Sequence, residues 1–184
     1  GWSFRQPRRP GQPGGAGEAV QPGSDDSGKE WLLVSAFAAN DPESTMAIYD
    51  RISADRSVEW ESTVGLLALR ADRGDRSLQW VEALKEDALS RFGRLLVSGA
   101  HAPALRHALR RHPAGKRIEI LRPGPPDEIM DQLLGDAGED GAPQGTGEAA
   151  ESRSAHLVFG FGNIEGLGRT MVRHWRKIGE PYGV

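Results

Sequence analysis

Three polar loops in this 184-residue chain carry residue types able to do chemistry, and each follows a short apolar run. The first is Ala38-Ala39-Asn40-Asp41-Pro42-Glu43-Ser44-Thr45. Its small residues allow a ligand to come close. The Asn40 amide can donate and accept, and a helix that opens at Asp41 and Pro42 offers free N–H groups to an anion. The second, Arg70-Ala71-Asp72-Arg73-Gly74-Asp75-Arg76-Ser77, crowds guanidinium groups suited to phosphate or carboxylate onto one turn. The third, Gly160-Phe161-Gly162-Asn163-Ile164-Glu165-Gly166-Leu167-Gly168, has the glycine density of a turn that exposes backbone to a ligand. Each also has a purely structural reading: a capped helix, a solvated ion-pair cluster, and a turn that lets a helix pack on a sheet.

The elements that must hold these loops follow from the hydrophobic pattern. Apolar runs at 31–37, 64–69, 95–98, 118–121 and 157–161 read as strands. Helical spacing follows each run. Met46, Tyr49 and Ile52 mark the first helix. Leu78, Val81, Leu84 and Ala88 mark a second that opens at Asp75. Short helices are expected over 103–111 and 126–134, and a last one over 164–178 carries Leu167, Met171 and Trp175. Five strand–helix units in series predict a Rossmann-like three-layer α/β domain. Its sheet would be mostly parallel, with about five or six strands and helices on both faces. Ligands of such folds bind at the carboxyl ends of the strands, where all three loops would lie.

Composition bounds the rest. Residues 1–30 are rich in Gly and Pro and poor in aliphatic side chains, so they read as a flexible segment or interdomain linker. The domain proper is expected over 31–184, with a flexible acidic insertion at 135–153. The net charge is −3. The first thirty residues are neutral and the insertion carries most of the excess acid, leaving a near-neutral domain. That argues against nucleic acid as a partner.

There is no cysteine, which removes disulfides, thiolate metal sites and a Cys nucleophile. The five His lack metal-ligand spacing and read as surface or turn residues, so no metal site is expected. The Trp read as packing residues, except Trp2 in the flexible segment. No apolar run approaches the roughly 20 residues of a membrane helix. The start at Gly1-Trp2, without a signal-peptide pattern, reads as a processed chain or a fragment. The Gly-rich loop is not a dinucleotide fingerprint. That motif needs a following strand and an acid about 20 residues on. Gly115-Lys116 lacks the flanking residues of a phosphate loop.

Taken in order, the segments 35–45, 70–77 and 160–168 resemble the C-terminal part of poly-γ-glutamate synthase, the ligase subunit of bacterial capsule synthesis. That subunit is similar to Mur ligases and folylpolyglutamate synthases. The resemblance runs from Trp31 to about Gly179 and implies an ATP-dependent amide ligase that extends a γ-linked glutamate chain. ATP with Mg²⁺ would be bound mainly outside this chain, which resembles the lid domain and lacks the phosphate loop. By resemblance, Ser35, Asn40, Asp41 and Arg73 face the nucleotide, and Arg73 is the catalytic candidate beside the phosphates. Arg76, Gly160, Gly162 and Asn163 are implied to hold the substrate. Where Ser35 stands, the wider Mur pattern often has an Asp that holds the ribose.

The implied partners are glutamate and poly-γ-glutamate, the ATPase domain of the same ligase, and other synthase subunits at the membrane. The implied location is the cytoplasm, with peripheral attachment at the inner face of the cell membrane. Two other readings stay open on the residues alone. One is a non-catalytic nucleotide- or anion-binding module, which predicts ATP binding by the isolated chain. The other is a protein-interaction domain, which predicts loss of partner binding when residues 1–30 are removed.

Overall fold

The computed structural model describes residues 1–5, 29–39, 41–135 and 153–181. Asn40, most of the Gly/Pro-rich segment and most of the acidic insertion lie outside them.

The strands are β1 (Trp2–Arg5), β2 (Glu30–Ser35), β3 (Val58–Ala68), β4 (Arg94–Ser98), β5 (Ile118–Ile120), β6 (Arg153–Gly162) and β7 (Glu180–Pro181). The helices are α1 (Pro42–Ser53), α2 (Gly74–Glu86), α3 (Ala102–Ala108), α4 (Pro126–Leu134) and α5 (Arg169–Ile178). A π-type turn over Ile164–Gly168 leads into α5. The described strands form one seven-stranded sheet in the order β5-β4-β3-β6-β2-β1-β7. The run from β5 to β2 is parallel, whereas β1 pairs antiparallel with both β2 and β7.

Local chemistry explains the elements. Asp41 caps α1, its Oδ1 accepting from the Ser44 N–H at 2.8 Å, with Pro42 in the first turn and Arg51 in the last. Central β6 is buried from Ala155 to Phe161 on both sides, as expected where helices cover both faces of a parallel sheet. One face of the sheet packs under α1, α2 and α3 through Met46, Tyr49, Trp80, Leu84 and Leu105. The other packs under α4 and α5 through Ile129, Leu133, Met171 and Trp175.

The three-layer α/β expectation is met, with seven strands rather than five or six. The extra strands are β1 and β7, at an edge. Residues 2–5 are therefore not part of a flexible tail. Trp2 packs on Trp175 with ring centroids 6.3 Å apart, and the Arg176 guanidinium lies 5.7 Å from the Trp2 ring centre. Helix α2 begins one residue before Asp75. Its inward face includes Trp80, while Leu78 stays 67% exposed. Helix α3 starts one residue earlier than expected and ends three residues sooner, and α5 proper starts only at Arg169.

Candidate functional site

Sheet order brings the three polar loops together. Strand β6 lies between β2 and β3, so the loops leaving the carboxyl ends of these three neighbours share one edge. The helix after β6 covers one face, while those after β2 and β3 cover the other. This divergence opens a crevice at the switch point. Backbone bonds tie its walls. The Ala36 N–H donates to the Gly160 carbonyl at 2.7 Å, and the Asn163 N–H donates to the Ala68 carbonyl at 2.9 Å.

The arginines of the turn after β3 divide by what holds them. Arg70 is committed, since its Nε donates to Asp72 Oδ1 at 2.7 Å and its Nη2 to Oδ2 at 2.5 Å. That pairing holds the Asp72 carboxyl below its usual range. Arg73 stands exposed at the start of α2. It makes no side-chain hydrogen bond or ion pair among the described residues. Arg76 is half-buried and lies near Asp41. The Asp41 carboxyl is held below its usual range by bonds from the Ser44 backbone and hydroxyl, with the Arg76 charge assisting. The charge of Glu165 reaches Arg70, which links the first, second and third loops electrostatically.

The Gly-rich loop splits into packing and exposed parts. Gly160 is buried within β6. A Cβ there would lie 2.5 Å from the Phe37 ring and 2.8 Å from Trp175, so this position is empty because two aromatic side chains fill it. Gly162 has φ +95, and its Cβ would meet the Ala68 carbonyl at 2.4 Å. Glycine is the residue that allows β6 to turn so close to β3. Asn163 is half-buried, and its Oδ1 accepts from the Glu165 N–H at 2.8 Å. Ser35 closes β2 opposite Gly160. The structure thus gathers Ser35, Asp41, Arg73, Arg76, Gly162 and Asn163 at one edge and sets Gly160 beneath it. Asn40 falls outside the described residues.

Sequence reading missed His101. Its Nε2 lies 3.0 Å from the Ala71 carbonyl, joining the start of α3 to the arginine turn. No local pattern marks it, because the contact depends on β4 lying next to β3.

A second polar cluster lies at the opposite end of the sheet. His156, read from sequence as a surface or turn residue, is only 3% exposed. It stacks on Trp31 with centroids 4.6 Å apart. A bulge between Trp60 and Ser62 in β3 delivers its partners. Ser62 Oγ lies 2.7 Å from Nδ1, and Glu61 Oε2 lies 3.1 Å from Nε2. Burial pushes the imidazole below its ordinary pKa, with Lys29 acting the same way and Glu61 opposing it. The neutral ring satisfies every partner if Ser62 donates to Nδ1 and Nε2–H donates to Glu61.

A lowered folded-state pKa means that the unfolded chain binds the proton more readily. Stability from this site is therefore full above about pH 6.5 and falls as the pH drops from there toward the folded-state value. Urea denaturation at pH 7.5 and 5.5 is expected to show that decline, and His156→Gln is expected to reduce it. An equal decline in the variant would remove His156 as its source.

Among the described residues, no group of three His, Asp or Glu is placed to hold a metal ion. No helix among them is long and apolar enough to cross a membrane. The layered, mostly parallel sheet and the loops converging over its central strands define a Rossmann-like α/β domain. Residues 20–178 match the family model described as the poly-gamma-glutamate synthase CapB C-terminal domain. The chain belongs to that family and is part of a poly-γ-glutamate synthase. No curated protein and no solved structure matched it.

Proposed function

We propose that this domain is the lid of an ATP-dependent ligase and closes over nucleotide and incoming glutamate while a γ-linked chain is extended. The observation that carries this reading is the convergence of the loops after β2, β6 and β3, with Arg73 and Arg76 uncommitted to any ion pair among the described residues. Arg76 has Asp41 as an electrostatic neighbour. Two guanidinium groups without strong partners at a switch-point crevice suit a polyphosphate and a carboxylate.

ATP, with its Mg²⁺ held mainly outside this domain, would supply the phosphoryl group that activates the chain-end carboxylate. In this reading Arg73 neutralises charge that develops on the transferring group. Arg76 orients a substrate carboxylate. Asn163, whose Oδ1 is used within its own turn, presents its amide N–H₂ to the incoming amino acid. Ser35 and Asp41 line the nucleotide side, and Asn40 is assigned to the nucleotide by the family resemblance alone. Gly162 keeps the turn narrow, and Gly160 acts through packing beneath it. The ATPase domain of the ligase and other synthase subunits complete the assembly, peripheral to the inner face of the cell membrane.

The test is glutamate-dependent ADP release by the intact synthase carrying Arg73→Ala or Asn163→Ala. Both variants are expected to be slowed, Asn163→Ala chiefly through a raised KM for glutamate. Wild-type rates in both would overturn the lid reading.

A further inference from the structure

We propose that the exposed face of α3 and the turn after it bind the poly-γ-glutamate product along its length, as a track for a polyanion leaving the crevice. The proposal rests on the ligase reading above for the identity of the polymer, and on charge and geometry for its place.

From Ala88 to Ile118 the chain contains no acidic residue, while Arg91, Arg94, Arg106, Arg110, Arg111, Lys116 and Arg117 fall within it. The domain as a whole has no comparable excess, so this is a concentration of charge rather than a general basicity. Arg91 and Arg94 are taken up by ion pairs with Asp50, Asp87 and Glu119. The others are not. Arg106, Arg110, Arg111, Lys116 and Arg117 are exposed and make no ion pair among the described residues.

Helix α3 turns Ala102 and Leu105 into the core, with Leu109 buried just beyond its end. This leaves Arg106 on its exposed side, with Arg110 and Arg111 exposed in the turn that follows. Arg110 donates to the His107 carbonyl at 2.8 Å, and Arg117 donates to the Phe92 carbonyl at 3.1 Å, so both are bonded through uncharged backbone and keep their charge unneutralised. The acid facing this surface from β5 is Glu119, already held by Arg94, with Arg106 close enough to help lower its pKa.

The face is connected to the crevice. His101, just before α3, reaches the Ala71 carbonyl of the arginine turn. From there α3 runs back from the carboxyl edge of the sheet toward its amino edge, as a crossover between β4 and β5 must. A γ-linked glutamate polymer carries one free carboxylate per residue, and five backbone bonds separate repeats. At the reach of an extended chain this is about 6 Å per residue. Arg106 in α3 is followed by Arg110 and Arg111 in the turn after it, a row of three guanidinium groups within six residues of chain. A single glutamate would gain one contact from such a row, whereas a polymer gains several at once.

The test measures binding of fluorescent poly-γ-glutamate about ten residues long to the intact protein by anisotropy. The triple variant Arg106→Gln/Arg110→Gln/Arg111→Gln is compared with Arg51→Gln/Arg56→Gln as a control on other exposed arginines. The α3 variant is expected to bind the polymer about tenfold more weakly, with a shallower dependence on salt. The control is expected to keep wild-type affinity.

Equal affinity in wild type and α3 variant overturns the proposal. So does wild-type protein that ignores the polymer but binds phosphatidylglycerol vesicles through these arginines, which would make the face a membrane-docking surface. Failure of the ligase reading looks different. Arg73→Ala would then leave ADP release intact, while the α3 variant would still lose polymer binding.

Discussion

Arg73→Ala in the intact synthase is expected to lower the turnover number for glutamate-dependent ADP release by about 10²–10³-fold, with a much smaller change in the KM for glutamate. The magnitude is that of removing one preorganised group aimed at charge that develops in a transition state. Arg73 is the candidate because nothing in the fold requires it. It is exposed, forms no ion pair among the described residues, and makes no side-chain capping bond to α2. Its replacement should leave the urea midpoint near that of wild type.

Arg70→Ala is the informative contrast. That guanidinium already holds both oxygens of Asp72, so its loss releases a neighbouring carboxylate rather than a phosphate contact. A rate for Arg73→Ala within twofold of wild type would remove it from the chemistry. Arg73→Lys separates charge from shape. A point charge restores part of the rate if neutralisation is the role, and little if a two-pronged contact is needed.

The second large effect concerns stability. Trp175→Ala is expected to destabilise the domain by about 3–5 kcal/mol, in the range for truncating a fully buried aromatic side chain. Trp175 has no exposed surface. Its Nε1 donates to Met130 Sδ at 3.2 Å, tying α5 to α4. Its ring stacks on Phe37 at 6.0 Å and fills the space above Gly160. The substitution would therefore loosen three elements at once. Urea denaturation measures it, and a loss below about 1 kcal/mol would show that the neighbouring rings collapse into the gap. Phe37 lies two residues beyond β2, so the same variant is expected to disturb the crevice floor without touching a polar residue of the loops.

Legibility in the sequence followed how local each feature is. The apolar centres of β2, β4 and β6 are short runs of Leu, Val and Phe between polar turns, and such runs announce buried strands without knowledge of their neighbours. The cap at Asp41 lies within three residues of its acceptor bond and was equally visible. Strand β1, one in from the edge, was not. Its four residues carry only Trp2 and Phe4 in alternation and adjoin a Gly/Pro-rich stretch, so composition pointed away from order. Pairing with β2 decides it, and that partner lies nearly thirty residues on. Leu78 and Trp80 show a different limit. Either phase of α2 presents apolar residues, and the space beside Phe161 selects the larger ring. His156 was misread because Ser62 and Glu61 are more than ninety positions away and meet it through a bulge that no pattern signals. The three loops were recognisable one by one, yet their adjacency depends on β6 inserting between β2 and β3, which is a fact of topology.

The edge pairing of β1 with β7 has a mechanical consequence. Trp2 sits opposite Pro181 and Ser3 opposite Glu180, in antiparallel register. A load applied between residues 1 and 181 therefore pulls the two strands apart from their paired ends, opening bonds singly rather than shearing them together. The next contacts to yield are those of Trp2 with Trp175, while β3 and β6, aligned over nearly their whole length at the centre of the sheet, are reached last. The domain is compliant at this edge and stiff across its middle, so strain entering through the edge would reach α5 well before it reached the crevice.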